Sequence, residues 1–184
     1  MNDVDALIGW LLEAPRGHRP VEGCGATALI SAISGAPVTA AILSRGPRRL
    51  TLHERHLLRA PGAAGHERRG TLYAAGVPAA AVTAVLLPQR IPLPAWQALG
   101  SGAGEGGLPL GLALAGLGAR REPLQAMATP GRRDAAGREQ VVWSAARLWL
   151  RHPVALVTER FYKLFLDAYP GPWAVSVPAP RAAP

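Results

Sequence analysis

The sequence predicts an α+β fold built on a single antiparallel sheet with helices packed against it, and three observations predict it. Helical periodicity opens the chain, where Val4, Leu7, Ile8, Leu11 and Leu12 recur at the spacing of one helix face. Farther on, short apolar segments come in pairs around turn signals, as at Gly76-Val77-Pro78 and Arg151-His152-Pro153, which is the pattern of hairpins. Helices first and hairpins with short helical insertions afterwards is an α+β order, not the strict alternation of a parallel sheet.

Each element follows from local chemistry. Asp3 to Glu13 is the opening helix, with Asp3 as its cap. Pro15 to Gly25 is rich in Gly and Pro and reads as a loop. Thr27 to Ile33 is a second helix, closed at Ser34-Gly35. Val38 to Leu43 is a first strand, which Gly46-Pro47 is expected to stop. Arg48 to Gly65 follows neither period. Thr71 to Ala75 and Ala81 to Leu87 form the first hairpin, and a short helix is expected around Pro94 to Gln97. Gly100 to Gly107 carries five glycines and reads as a mobile loop. Leu110 to Leu117 is helix-compatible, Leu124 to Thr129 is a strand, and Pro130 to Arg138 is a polar connection. Val141 to Leu150 and Val154 to Leu164 make a second hairpin. Residues 1–169 are expected to form one domain, and the Pro- and Ala-rich stretch 170–184 a flexible tail.

Bulk properties narrow the function. At 184 residues the chain suffices for one well-packed core. Its formal charge of +8 suggests nucleic acid, but Lys163 is the only lysine and the arginines fall in separate doublets: Arg48-Arg49, Arg68-Arg69, Arg120-Arg121 and Arg132-Arg133. No aromatic-basic interleaving accompanies them, so the charge reads as compositional bias and no nucleic-acid partner is expected. Cys24 is the only cysteine, which excludes an intrachain disulfide and a Cys-based zinc site. The acidic N-terminus does not fit a secretory signal. The longest apolar stretch, Leu72 to Pro88, is broken by Gly76, Pro78 and Thr83, so no membrane insertion is expected and a cytoplasmic protein is the default.

Two strand-like segments hold the candidate chemistry. Arg68 to Pro78 and Pro153 to Glu159 are β-prone, and each carries ionisable side chains that are costly to bury alone. Arginine presents a planar fork that meets a carboxylate bidentately and keeps its charge when desolvated. A glutamate in an apolar strand is pushed toward its neutral form unless a cation stands nearby. Together they suggest a pocket that grips a small anion at one end. Alternation sends Arg68 and Arg69 to opposite faces of a strand, so one points inward and the other is solvated.

The same residues carry a resemblance. The chain resembles the bacterial chorismate pyruvate-lyase family over roughly Leu7 to Leu166, through Leu7 to Glu13, Thr27 to Gly46, Arg68 through Pro78, Pro88, Pro109-Leu110-Gly111 and Pro153 through Glu159. The resemblance implies a single antiparallel sheet with the ligand enclosed, a fold also used by the ligand-sensing domains of transcriptional regulators. It implies a cofactor-free carbon–oxygen lyase that converts chorismate to 4-hydroxybenzoate and pyruvate, as in ubiquinone biosynthesis. It further implies that Arg68 holds the ring carboxylate, that the backbone N–H of Leu110 assists, that Glu159 reaches the ring hydroxyl, and that Thr27 adds a backbone contact. Arg68 and Glu159 are thereby the expected catalytic residues. The sequence departs from the pattern at Ala84, where the family often has an arginine near the pocket entrance. The alternative is a sensor-like domain that binds a small aromatic acid without transforming it. The chain begins almost at its first helix, with no helix-turn-helix ahead of it, which tells against a self-contained regulator.

The remaining candidates are weaker. His53 and His56 stand at i, i+3 with no third metal ligand in sight, so no metal is expected. The Gly100 to Gly107 stretch lacks the lysine and hydroxyl of a phosphate loop. Cys24 reads as an inert thiol. Trp143, Trp149, Phe161 and Phe165 read as core, and a monomer is expected in the absence of a coiled coil.

Overall fold

Along Glu139–Trp149 every second side chain is buried, the signature of a strand with one face against a core. A computed structural model describes residues 3–13, 25–100 and 107–170. Its six strands are β1 (Val38–Arg49), β2 (Ala64–Ala74), β3 (Val77–Leu86), β4 (Arg120–Arg133), β5 (Glu139–Trp149) and β6 (Pro153–Tyr162). They form one sheet in the order β1-β2-β3-β6-β5-β4, with every neighbouring pair antiparallel. This is the α+β, single-sheet architecture expected from the sequence. The helices are α1 (Asp3–Glu13), α2 (Ala26–Ser34), α3 (Leu52–Leu58), α4 (Leu93–Ala98), α5 (Leu110–Ala115) and α6 (Lys163–Ala168).

Several boundaries differ from expectation for identifiable reasons. β1 runs through Gly46-Pro47 to Arg49 instead of stopping there. It lies at the sheet edge with β2 as its strand neighbour, where the missing N–H of Pro47 removes no ladder bond on the outer side. The uncommitted stretch contains α3, held by a capping box in which Thr51 and Glu54 satisfy each other's backbone N–H. The first hairpin turns at Ala75-Gly76, both at positive φ, as its two-residue turn demands. β4 extends across Pro130 to Arg133 through a register shift between Ala128 and Arg132. The second hairpin's last strand ends at Tyr162, and residues expected to continue it form α6.

The buried apolar residues fall into three clusters. The first joins α1, α2 and α6 to the sheet through Leu7, Leu11, Leu29, Ile30, Leu72, Val142, Phe161 and Phe165. The second joins α4 and α5 to it through Leu99, Leu110, Leu114, Ala84, Leu148 and Val157. The third seats Leu58 of α3 on Val85 and Leu87. Val85 alternates with Ala84 and Leu86, which places α3 on the opposite face of the sheet. Phe161 and Phe165 are core as expected, whereas Trp143 and Trp149 are only half-buried. Trp149 donates its indole N–H to Glu122 at 2.6 Å and lies beneath the guanidinium groups of Arg59 and Arg147. The expected loop from Pro15, Cys24, most of the glycine-rich stretch and nearly all of the expected tail lie outside the described residues.

Candidate ligand-binding site

Between the first two clusters the core is interrupted by a cavity. Its floor is the sheet: Ala40 and Ile42 of β1, Arg68, Gly70 and Leu72 of β2, Val82 and Ala84 of β3, Val157 and Glu159 of β6, and Leu148 of β5. Its roof is the start of α2, with Gly25, Ala26 and Thr27, and the start of α5, with Leu110 and Gly111. Register explains the floor. Ile42, Gly70, Val82, Glu159 and Ser144 face one another across five strands, and Arg68, Ala84 and Val157 form a second row two residues along. Opposed residues share a face, so the ladder alone brings Arg68 and Glu159 to one wall. All four residues singled out in the sequence, Thr27, Arg68, Leu110 and Glu159, line this one cavity.

Alternation separates the arginine doublet. Arg68 is 6% exposed, whereas Arg69 is exposed and pairs with Glu67 at 2.7 Å. Arg68 donates from Nη2 to the Leu108 carbonyl at 2.8 Å, and its Nε is buried without a hydrogen-bond partner. Among the described residues no carboxylate lies within ion-pair distance of it. Burial, reinforced by the like charge of Arg45, pushes its pKa down to about 10. It is therefore still a cation at neutral pH, and it faces a mostly apolar wall.

Glu159 is held in place by the protein itself. The carboxylate is 3% exposed and already has three protein partners. Oε1 accepts from the backbone N–H of Ala26 at 3.2 Å, at the first turn of α2, where a negative charge is favoured. Oε2 accepts from the Ser144 hydroxyl at 2.6 Å and from Arg121 Nη2 at 3.1 Å. Arg121 in turn donates from Nη1 to the Leu11 carbonyl at 2.7 Å, so one buried pair ties α1, α2, β4, β5 and β6 together. Gly25 permits this, since a Cβ there would stand 3.3 Å from Arg121 Cδ and 3.4 Å from Glu159 Oε1. The Glu159–Arg121 pair is electrically self-contained, and Arg68 is a charge of the cavity wall with no counterion among the described residues.

Sequence reasoning did not find Arg121 or Ser144. Arg121 belongs to a doublet that reads as compositional bias, and its partner is 38 residues away. Ser144 sits among apolar residues at a buried parity of β5, a signal that was available. His53 and His56 are exposed on α3, and among the described residues no group of three metal-ligating side chains occurs. No described helix is long and apolar enough to cross a membrane.

No known family pattern matches the sequence, and no curated protein does. Solved structures do match in fold. The effector domain of PhnF from Mycobacterium smegmatis superimposes with a TM-score of 0.54 at 11% identity, covering 77% of this chain and 92% of that one. The full PhnF from the same organism gives 0.52 at 14% identity, covering 86% and 78%. A protein described as a GntR-family transcriptional regulator gives 0.52 at 12% identity, covering 79% and 62%. These neighbours correct the expectation of a carbon–oxygen lyase. The like structures belong to regulators. The expected chorismate and ubiquinone context has no support among them. The chain has the α+β fold common to chorismate lyases and the ligand-binding domains of GntR-family regulators.

Proposed function

We propose that this chain is a non-catalytic binding domain for a small organic acid with a flat apolar body, of the 4-hydroxybenzoate kind. One observation carries the reading: Arg68 is a buried cation in the wall of an apolar cavity, and among the described residues no carboxylate neutralises it. A carboxylate placed against its fork would form charge-assisted hydrogen bonds, each contributing roughly 1.5–3 kcal/mol. Ile42, Leu72, Val82, Leu148 and Val157 would then cover the body of the ligand. At the far end Glu159 Oε1 accepts one hydrogen bond in this structure and, as a carboxylate oxygen, has room to accept a second from a ligand hydroxyl. Leu110 and Thr27 complete the roof near the ligand. In this reading Glu159 recognises and Arg68 anchors, and nothing is transformed.

The test is titration of the purified chain with 4-hydroxybenzoate, with uncharged 4-hydroxybenzyl alcohol and with chorismate, followed by chromatography of the chorismate sample. Saturable binding of 4-hydroxybenzoate is expected, at least thirtyfold tighter than that of the alcohol, and chorismate decay at the rate of the protein-free control. Release of 4-hydroxybenzoate and pyruvate above that control, or equal affinity for acid and alcohol, would overturn the proposal.

A further inference from the structure

A second pocket, of about 300 Å³, opens beside the first and is lined by Arg45, His66, Trp96, Gln97 and Gly100. Arg45 of β1 is the direct register partner of Arg68 in β2, so the two guanidinium groups leave the same face of the sheet side by side. Like charges opposed across a strand pair are destabilising, and neither has a carboxylate partner among the described residues. Of the acids between them in sequence, Glu54 is engaged by Arg48, and Glu67 alternates to the other side and is engaged by Arg48 and Arg69.

The outer pocket is built, not incidental. The Arg45 guanidinium lies over the Trp96 ring, 4.3 Å from its centroid, and His66 meets the same ring edge-on at 5.0 Å. Stacking uses the flat face of a guanidinium and leaves its in-plane N–H donors pointing outward, where they match a carboxylate. Arg45 makes no hydrogen bond to the described residues, and His66 Nδ1 is enclosed without a partner. The site is thus a fixed fork with an unpartnered imidazole nitrogen beside it, adjacent to a second fork in the inner cavity.

We infer that the ligand carries two acidic groups, one held by Arg68 in the inner cavity and one by Arg45, with Trp96 and His66, in the outer pocket. The inference rests on the anion-binding reading above and adds to it a second acidic group on the ring, so that a cyclic dicarboxylate binds more tightly than a simple ring acid. The probes are benzoate, isophthalate and phenyl phosphate, titrated calorimetrically at low ionic strength into the native chain, Arg45→Gln and Trp96→Leu. Circular dichroism verifies that both variants are folded.

Isophthalate is expected to bind the native chain at least tenfold tighter than benzoate. In Arg45→Gln that advantage shrinks to within about twofold. In Trp96→Leu it falls three- to tenfold, because the fork loses its platform. If benzoate binds and isophthalate binds no better, or if phenyl phosphate outcompetes isophthalate, the two-pocket inference is overturned while the anion-binding reading stands. If none of the three binds, that reading fails and this inference falls with it.

Discussion

Arg68 brings a charge into a wall of Leu, Val and Ala side chains, and among the described residues one carbonyl accepts from it. Burial, and after it the like charge of Arg45, lowers its pKa to about 10. The sign follows from proton counting: the unfolded chain holds that proton more tightly, so the full cost is present at neutral pH and is relieved only as pH rises through 10. Replacing Arg68 by Met should therefore stabilise the unliganded protein by about 1–3 kcal/mol in urea denaturation while abolishing acid binding. A variant less stable than the native chain would contradict this account of the residue. Glu159 and Arg121 behave oppositely, because each buried charge has its counterion. Glu159→Gln should cost about 3–5 kcal/mol by leaving Arg121 uncompensated. The double variant with Arg121→Met should cost clearly less than the sum of the two single changes. Additive losses in denaturation curves would show that the pair is not the coupled unit described here.

At the scale of elements, the sheet's register decides which side chains can meet, and its closest approach decides where a side chain is forbidden. Gly70 occupies the row of Glu159, and a Cβ there would lie 2.6 Å from the Ala41 carbonyl on the neighbouring strand. Backbone cannot yield as a side-chain tip does, so Gly70→Ala should destabilise by about 1–3 kcal/mol. Because Gly70 also lines the cavity, the same variant should bind acids more weakly. Unchanged stability and affinity, read from denaturation and titration, would refute the close approach. The elements also show how far sequence reasoning reaches. α1 and α2 were legible because periodicity and a C-terminal glycine are local signals. α3 was missed although its Thr51-to-Glu54 capping box was present, since seven residues are too few for a period to declare itself. Gly46-Pro47 reads as a strand stop, and whether proline is tolerated there depends on the strand lying at an edge, a tertiary fact. Arg68 and Glu159 were legible as buried charges on β-prone segments. Their different fates were not, because Arg121 enters from β4 and Arg45 from β1, contacts that no local window contains.

For the whole molecule, the cavity separates two apolar clusters that helices on one face of the sheet build independently, α1 and α2 on one side and α4 and α5 on the other. Val82 packs against both clusters and lines the cavity between them. A ligand filling that gap would join the two halves of the core and, binding only the folded state, would stabilise it by mass action. The net charge of +8 has the sign that favours approach of an anion. All of this turns on Arg68 being the anchor of an anion. The most direct test is calorimetric titration of 4-hydroxybenzoate into the native chain and into Arg68→Met, side by side at neutral pH. The account predicts one saturable site per chain in the native protein and an affinity at least a hundredfold weaker in the variant, about 2.7 kcal/mol. Equal affinities in the two, or no binding to a folded native chain, would contradict it.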